Sequence, residues 1–522
     1  MPNKFTYPPK IIRRDIFKTA SASLLGLTGI VSGNASSEAS QNTAVNTQEF
    51  NRLIKTPLDY GAVGDGKADD TRHVQAALND GPCLIERPYA VTGITANNYL
   101  TMIGQGRLIF IGQQNETCLK VSSNFGDLHV DGNSSDCTGV SIMKNDISGH
   151  SILIENITAS PSSSTSIYGL RVNANNFHLE RVRTYNTNNT GKSNGSFPQA
   201  IGIVGNSDNT SINDIYCEKG ACAVAFGKST GKTFIGKLRS RNMTDNGVYG
   251  LGGDNYIDSF IYEGIEEAYV AHGGDHNIGI ITVIGRCIGA LELGSANKVN
   301  VGEICITDGG TGNTCMKPVL TRSNAKSIGS VWIGTIKGHL KSANGVINVN
   351  NANTEFLQID HINIILDYDN KLMPTLNAWF DITGVKQYTI GPSTIRIRDI
   401  HDTITSSTIF SCKIPRPDKE SIIENLDIYF ETAAGDQHPK AQCRIGSQYN
   451  NLRIKGAVWQ TNIGPYAREA TFLEGAMRDA ASSIPEGGYW RKGQILWNTN
   501  GGNRSFGFLC TKSGEPGNWI TL

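Results

Sequence analysis

Short runs of alternating apolar and polar residues recur along most of the chain. Alternation with a period of two predicts β-strands, and the runs return at roughly 20 to 36 residues, a period typical of solenoid proteins. Stacked units of this kind share one continuous core. Gly and Asn between the runs suit corners with unusual backbone angles, so the pattern predicts a parallel β-helix. The runs begin near Leu128, Ile152, Phe177, Ile212, Ile235, Ile257, Ile278, Val299, Ile328, Leu357, Tyr388, Ile423 and Leu452.

Two consecutive repeats align without a gap, 234–255 over 256–277, and both end in Asn. Equivalent residues of adjacent coils are separated by the strand spacing of about 4.8 Å. The alignment therefore predicts that Asp245 lies directly beneath Glu267. The polar stretch 185–200 is longer than a coil corner needs, so we expect it to form a loop at the surface.

A motif before the first coils resembles a known family. Residues 58–71 read LDYGAVGDGKADDT, and RHVQAALN follows. The motif resembles the opening of the pectate-lyase-like β-helix superfamily, in the branch of rhamnogalacturonase and epimerase-like domains and of phage tailspike depolymerases. The resemblance implies a right-handed parallel β-helix (solenoid) with an N-terminal capping helix, whose apolar face is Val74, Ala77 and Leu78. Structural roles are expected for Asp65, Asp69 and Asp70, with Asp69 or Asp70 at the helix N-cap.

The C-terminal residues 489–519, rich in Gly and Trp, resemble a small β module that follows the β-helix in phage tailspikes and related bacterial surface proteins. We expect its Trp residues to belong to a small core more than to a sugar site. The predicted domains are a leader at 1–48, a β-helix at 49–459, and a C-terminal part at 460–522. A connecting helical segment is expected at 464–481.

Composition and charge narrow the possible functions. The 47 Lys and Arg residues balance the 47 Asp and Glu residues, which argues against nucleic acid as a partner. No apolar stretch is long enough for a membrane span. The 11 Cys residues lack metal-site spacing, and Cys217 and Cys222 are expected to be buried thiols. Arg13 and Arg14 before a weakly apolar segment resemble a twin-arginine export signal, although an anchoring helix is the alternative.

Candidate chemistry concentrates between residues 239 and 292. Glycoside hydrolysis requires two carboxylates, one protonated and one ionised, and stacked carboxylates drive their pKa values apart. Asp245 and Glu267 are the leading pair. No metal and no cofactor are predicted. The other candidates share this dense ionisable region: Asp275 and His272 as further catalytic residues, and Arg241, Tyr249, Glu263, Tyr269, Arg286 and Glu292 as substrate-binding residues.

Several functions remain open at this point. The leading hypothesis is a depolymerase of a bacterial capsular or extracellular polysaccharide, located outside the cell or on a virion tail. A lyase would instead use a base and a carboxylate-neutralising group, for which His272, Tyr269 and Arg286 are candidates. A non-catalytic carbohydrate-binding adhesin and a sugar epimerase are further alternatives. The resemblance also implies a homotrimer.

Overall fold

The structure is a computed structural model. It describes residues 54–522 apart from 160–166, 190–198, 311–315, 323–324, 342–344, 351–352, 369–379, 400–406, 413–420, 425, 433–442, 448–451, 456–469, 473–475, 478–479, 482, 485–491, 494, 499–505 and 514–516. The chain divides into two compact units, Met1–Lys55 and Thr56–Leu522, and the described residues belong almost entirely to the second. The predicted leader at 1–48 lies outside the described residues.

Two long sheets, A and B, contain most of the strands. Sheet A consists of β1 (Cys83–Ile85), β2 (Pro88–Val91), β4 (Leu100–Met102), β5 (Arg107–Phe110), β7 (Phe125–Asp136), β9 (Ser148–Ala159), β11 (His178–Asn189), β13 (Thr210–Gly220), β15 (Lys232–Met243), β17 (Asp254–Gly264), β19 (Asp275–Ile284), β21 (Lys298–Gly309), β23 (Ser327–Leu340), β25 (Asn353–Tyr368), β27 (Tyr388–Ile390), β28 (Ser393–Asp399), β30 (Ser421–Glu424), β31 (Leu426–Thr432), β33 (Leu452–Lys455) and β35 (Ala476–Met477). Sheet B consists of β3 (Ile94–Ala96), β6 (Thr117–Val121), β8 (Thr138–Ile142), β10 (Tyr168–Val172), β12 (Gln199–Ile203), β14 (Cys222–Phe226), β16 (Val248–Gly250), β18 (Glu267–Ala271), β20 (Gly289–Leu293), β22 (Lys317–Thr321), β24 (Ile347–Asn348), β26 (Phe380–Asp381), β29 (Ser407–Cys412), β32 (Cys443–Ser447) and β34 (Ala470–Phe472).

Successive coils pair in parallel along both sheets. In the middle of the stack each coil contributes one long strand to sheet A and one short strand to sheet B. At both ends of the stack, two short strands replace the long one. Strands β4 and β5 both pair with β7, and β27 and β28 both pair with β25. The long strands therefore cover two sides of each coil and sheet B covers the third, so the protein is a parallel β-helix, as the repeat predicts.

The core is built from the same position in successive coils. Leu170, Ile201 and Val224 are register partners on sheet B, and all three are fully buried. The row continues through Val248 and Tyr269. Each strand alone has one apolar face, and only stacking removes that face from water. Because pairing fixes the rows, the same register that buries the core also aligns the side chains on the outer surface.

One corner residue changes the predicted register between two coils. The offset of 22 residues holds from Phe234 opposite Tyr256 to Arg241 opposite Glu263, and then Met243 lies opposite Gly264. Asn242 is the extra residue, and it adopts a left-handed conformation with φ 55°. Asn156 and Asn186 have the same conformation at φ 56°, which confirms the prediction that Asn supports unusual backbone angles at corners.

The N-terminal helix is confirmed as α1 (Thr71–Asp80), preceded by a 3₁₀ turn at Pro57–Tyr60. The buried residues of α1 are Val74, Ala77 and Leu78, as the motif predicts. Helix α1 contacts β2 and β3. No helix in the described part of the chain is both long enough and apolar enough to cross a membrane.

The three motif aspartates have structural roles. Asp70 is the N-cap residue, but its side chain does not bond to the helix. Its two carboxylate oxygens instead accept hydrogen bonds from the backbone N–H groups of Val63 at 2.7 Å and Gly64 at 3.0 Å. Asp69 accepts from the N–H of Thr71, the first residue of α1, and Asp65 accepts from two N–H groups in its own turn. The three carboxylates therefore hold the backbone of the motif in place just before the chain enters the first coil.

The C-terminal part contains a separate small sheet, C, formed by β36 (Ala480–Ala481), β37 (Ile495–Asn498), β38 (Gly507–Lys512) and β39 (Asn518–Thr521). Its core is Leu496, Phe508 and Cys510, with Trp519 packed against it. The prediction of a helical segment at 464–481 is wrong for the residues that the structure describes there. Strands β34 and β35 still pair with the β-helix, because these short apolar runs continue its two sheets.

Buried thiols are the rule among the described cysteines. Cys217 and Cys222 are both buried and free, which confirms their prediction as core thiols. Burial raises the pKa of Cys217 to about 12, so this sulfur is protonated and unreactive at neutral pH.

Removal of the Asp70 carboxylate tests the role of the N-terminal motif. The Asp70→Ala variant leaves two N–H groups unpaired beside a side chain that is 1% exposed, and we expect it to lower the free energy of unfolding by about 2–3 kcal/mol. Urea denaturation measures this change. The control, Asp65→Ala, removes a carboxylate from an exposed turn and is expected to cost about 1 kcal/mol or less; equal losses in both variants would contradict the assigned role.

Candidate functional site

The outer face of sheet B brings ionisable side chains of adjacent coils together. Ala268 and Tyr269 both pack in the core, so Glu267 and Val270 on either side of them lie on the outer face. Val270 pairs with Glu292 in the next coil. Glu267 and Glu292 thus lie on the same surface. They belong to neighbouring strands, and Glu267 lies three residues before the position that pairs with Glu292.

Glu267 is the most perturbed carboxyl group of this surface. Its side chain is only 9% exposed, and one oxygen accepts a hydrogen bond from Asn246 Nδ2 at 2.9 Å. Burial, followed by the charge of Glu292, raises the pKa of Glu267 to about 7. Both protonation states of Glu267 are therefore populated near neutral pH.

Glu292 has a different electrostatic environment. It is also 9% exposed, and burial raises its pKa, while the Arg322 guanidinium opposes that shift. Arg322 Nη1 lies 4.0 Å from Glu292 Oε2. The charges of Asp245 and Glu266 act in the opposite sense to Arg322 and favour protonation of Glu292. A cation beside one of two neighbouring carboxyl groups makes their proton affinities unequal.

Three further side chains lie on the Glu292 side of this surface. Arg322 Nη1 donates a hydrogen bond of 3.0 Å to the Tyr249 hydroxyl, and its guanidinium carbon lies 5.2 Å from the centre of the Tyr249 ring. The His272 ring stacks on Tyr249 with centroids 6.4 Å apart. Burial and the charge of Arg322 lower the pKa of His272, so this imidazole is neutral at neutral pH.

His272 also has an unused polar atom at the site. Its Nδ1 is buried and has no hydrogen-bond partner. A Cβ atom at Gly294, in the next coil, would lie 2.4 Å from this nitrogen, so the space that the ring occupies exists because residue 294 is glycine. We refer to Asn246, Tyr249, Glu267, His272, Glu292 and Arg322 as the carboxyl cluster.

The structure corrects the predicted partner of Glu267. Because Asn242 is one extra residue in its coil, Gly247 N–H bonds to the Glu267 carbonyl and Val248 lies opposite Tyr269. Asn246, not Asp245, therefore occupies the position beneath Glu267. Asp245 is the adjacent residue, half-buried, and its charge reaches Glu292.

The burial of Tyr269 in the core conflicts with its prediction as a substrate-binding residue. Its side chain is fully buried, and its hydroxyl lies 2.8 Å from His276 Nδ1. His276 Nε2 donates to the Gly273 carbonyl at 2.7 Å, so Nδ1 of the neutral ring accepts from the tyrosine. Burial lowers the pKa of His276 to about 4. This pair is a hydrogen-bonded part of the core.

The remaining predicted residues lie around the carboxyl cluster. Arg241 and Glu263 form an ion pair at 3.2 Å on β15 and β17, at the strand ends before the corner that leads to sheet B. Arg286 is exposed at the equivalent corner one coil later. Asp275 begins β19 on sheet A, where its backbone pairs with Asp254. Of the predicted site residues, the structure therefore places Glu267, His272, Tyr249 and Glu292 on or beside the outer face of sheet B. Arg241, Glu263, Asp275 and Arg286 lie on sheet A or at its corners.

Sequence reasoning missed Asn246 and Arg322. Asn246 carries no charge, and its role depends on the single extra residue at Asn242. Arg322 lies two coils beyond His272, and its backbone N–H bonds to Leu293 beside Gly294. Arg322 occupies the same position in its coil as His272 and Gly294 do in theirs. The coils differ in length, so this equivalence is hard to see in the sequence.

Among the residues that the structure describes, no group of three or more His, Cys, Asp and Glu side chains is arranged to hold a metal ion. Comparison of the chain with protein-family models, with curated proteins and with solved structures finds no match in any of the three.

The raised pKa of Glu267 predicts a pH-dependent stability. The folded state holds this proton up to about pH 7, while the unfolded chain releases it near the ordinary value of 4.5. The wild-type protein therefore loses stability as pH rises from about 4.5 to 7. We expect Glu267→Gln, which retains an acceptor for Asn246, to be more stable than wild type by about 2 kcal/mol at pH 8 and equally stable at pH 4.

Denaturation curves at both pH values measure this difference. The control is Glu303→Gln, since Glu303 forms a partly exposed ion pair with Lys337 on sheet A and removal of its charge is expected to give no stabilisation at pH 8. A Glu267→Gln variant that is less stable than wild type at pH 8 would show that the carboxylate is not destabilised by burial.

Proposed function

We propose that the protein is a glycoside hydrolase that depolymerises a bacterial capsular or extracellular polysaccharide. The observation that carries this proposal is the pair Glu267 and Glu292. These two buried carboxyl groups share one surface, and their environments differ: an amide contacts Glu267, and a guanidinium lies beside Glu292. Hydrolysis of a glycosidic bond needs one carboxyl group in the acid form and another in the ionised form.

Glu267 is assigned the general-acid role. Its pKa of about 7 keeps a proton available near neutral pH, which is the range in which a general acid is effective. Because Asn246 Nδ2 donates to one oxygen, the other oxygen can carry the proton towards the leaving group.

Glu292 is assigned the base role, because Arg322 stabilises its ionised form. One strand spacing and three residues along the strand separate the Cα atoms of Glu267 and Glu292 by about 11 Å. The charge of Glu292 raises the pKa of Glu267, so the two carboxyl groups are close enough to interact. We assign the pair to the inverting class, whose carboxyl groups are the more widely separated of the two glycosidase classes.

The rest of the carboxyl cluster supports substrate binding. Tyr249 offers an aromatic ring and a hydroxyl beside the pair, and rings of this kind stack on sugar C–H groups. Arg322 fixes the Tyr249 hydroxyl and lies beside Glu292. The polysaccharide specificity, the location outside the cell or on a virion tail, and the homotrimer are supported by the resemblance at the two ends of the chain.

A polysaccharide lyase is the second candidate function, and one observation favours it. His272 is a neutral imidazole whose ring stacks on Tyr249, and the Arg322 guanidinium is close enough to lower its pKa. A neutral imidazole is suited to proton abstraction, and a guanidinium to neutralisation of a uronate carboxylate. Of the three lyase candidates named from the sequence, His272 is retained, Tyr269 is excluded by its burial, and Arg322 takes the place of Arg286.

Depolymerase activity is tested by incubating the full chain with a panel of bacterial capsular polysaccharides and measuring polymer size by size-exclusion chromatography. We expect the wild type to shorten at least one polymer, and Glu267→Gln and Glu292→Gln to reduce the rate by about 100-fold or more. Glu303→Gln on sheet A is the matched control and is expected to retain the wild-type rate.

Ultraviolet absorbance of the products separates the two enzymatic reactions. Shortening without an unsaturated uronate supports the hydrolase. Shortening with unsaturated product, abolished in His272→Ala and retained in Glu267→Gln, would replace the hydrolase by the lyase. Binding of polymers without any shortening would contradict both and favour a carbohydrate-binding adhesin.

A further inference from the structure

A second polar cluster lies on the same outer face of sheet B, several coils before the carboxyl cluster. Its members are Tyr168 and Arg171 on β10 and Gln199 on β12. Arg171 pairs with Gly202, and the row continues through Ala225 to Tyr249. Arg171 and Tyr249 therefore occupy the same row of the sheet, and any polymer that lies along this row contacts both clusters.

Arg171 lacks the partners that a half-buried guanidinium normally has. Its Nε is buried and has no hydrogen-bond partner. Its guanidinium carbon lies 5.9 Å from the centre of the Tyr168 ring, and no ion pair within the described part of the chain involves it. A buried guanidinium nitrogen normally has a hydrogen-bond acceptor, so among the described residues Arg171 is a cation without a carboxylate partner.

Two neighbours complete a possible binding surface. Gln199, the register partner of Tyr168, has a buried Oε1 without a hydrogen-bond partner. A Cβ atom at Gly202 would lie 2.1 Å from Tyr168 Cε1, so the tyrosine ring lies over the backbone of the next coil. The surface thus combines an aromatic ring, an amide acceptor and a guanidinium, which is a set suited to a charged sugar.

The surface between the two clusters has only small side chains in this row. Gly202 and Ala225 separate Arg171 from Tyr249, and Ala225 is 4% exposed. Five strand steps from Arg171 to Glu292 correspond to about 24 Å, a distance that several sugar residues span. Lys120 lies two coils before Arg171 in the same row and adds positive charge at that end.

We propose that Tyr168, Arg171 and Gln199 form a distal subsite that binds the carboxylate of an acidic sugar residue in the polymer. The guanidinium pairs with the carboxylate and the Tyr168 ring packs on the sugar, while Gln199 flanks the ring from the next coil. This inference rests on the proposed function, because its ligand is the polymer that the carboxyl cluster cuts.

The subsite is tested by binding measurements on Glu267→Gln, in which cutting of the polymer is expected to be slower by about 100-fold or more. The probes are acidic bacterial polysaccharides, each before and after chemical reduction of its carboxylates to hydroxymethyl groups. We expect Arg171→Gln in this background to weaken binding of the unreduced polymer about tenfold or more, the usual loss for a hydrogen bond to a charged group. Binding of the reduced polymer is expected to be the same with and without Arg171.

Two further variants make the result specific. Arg171→Lys keeps the charge but loses the planar donor geometry, and it is expected to restore part of the lost affinity. Arg239→Gln removes an exposed Arg of β15 on sheet A and is expected to bind like the parent. Equal affinity of Arg171→Gln and the parent for the unreduced polymer overturns the proposal, as does tight binding of neutral polymers alone.

These outcomes are distinct from failure of the proposed function. If the wild type shortens only neutral polymers, the depolymerase stands and the acidic subsite fails. If acidic polymers bind through Arg171 but are never shortened, the subsite stands and the depolymerase fails.

Discussion

Parallel pairing of each coil with the next is the constraint on which this molecule depends. It fixes the distance between successive strands at about 4.8 Å and repeats every side-chain position along the stack. Inside, the repetition produces continuous rows such as Leu170, Ile201 and Val224. Outside, it places polar residues from separate coils on one surface at nearly constant intervals.

The fold could be predicted from sequence because its signals are local and repeated many times. Alternating runs, polar corners and the aspartate-rich opening each indicate the same architecture. The candidate site depends instead on register, and register changes with single residues. One extra corner residue, Asn242, moves Asn246 into the place expected for Asp245. Tyr269 and Tyr249 are both tyrosines of sheet B, yet only the pairing shows that one faces the core and the other the surface.

Long-range partners were equally hard to predict. Arg322 contacts Tyr249 across several coils, and loops of irregular length separate the two in sequence. Irregular coil lengths conceal rows that are plain in the structure. Sequence reasoning therefore named Glu267 and Glu292 of the carboxyl cluster, but it could not assign their neighbours, and the neighbours determine their proton affinities.

The corner at Asn242 has a consequence for how such a protein can change. The extra residue is accommodated at the corner as a left-handed Asn, and the strands before and after it stay paired with the neighbouring coils. The core rows on either side are therefore undisturbed. Insertions at corners can thus change the surface beside the outer face while the scaffold persists. In this architecture, new specificity can arise from changes in chain length as well as from substitution.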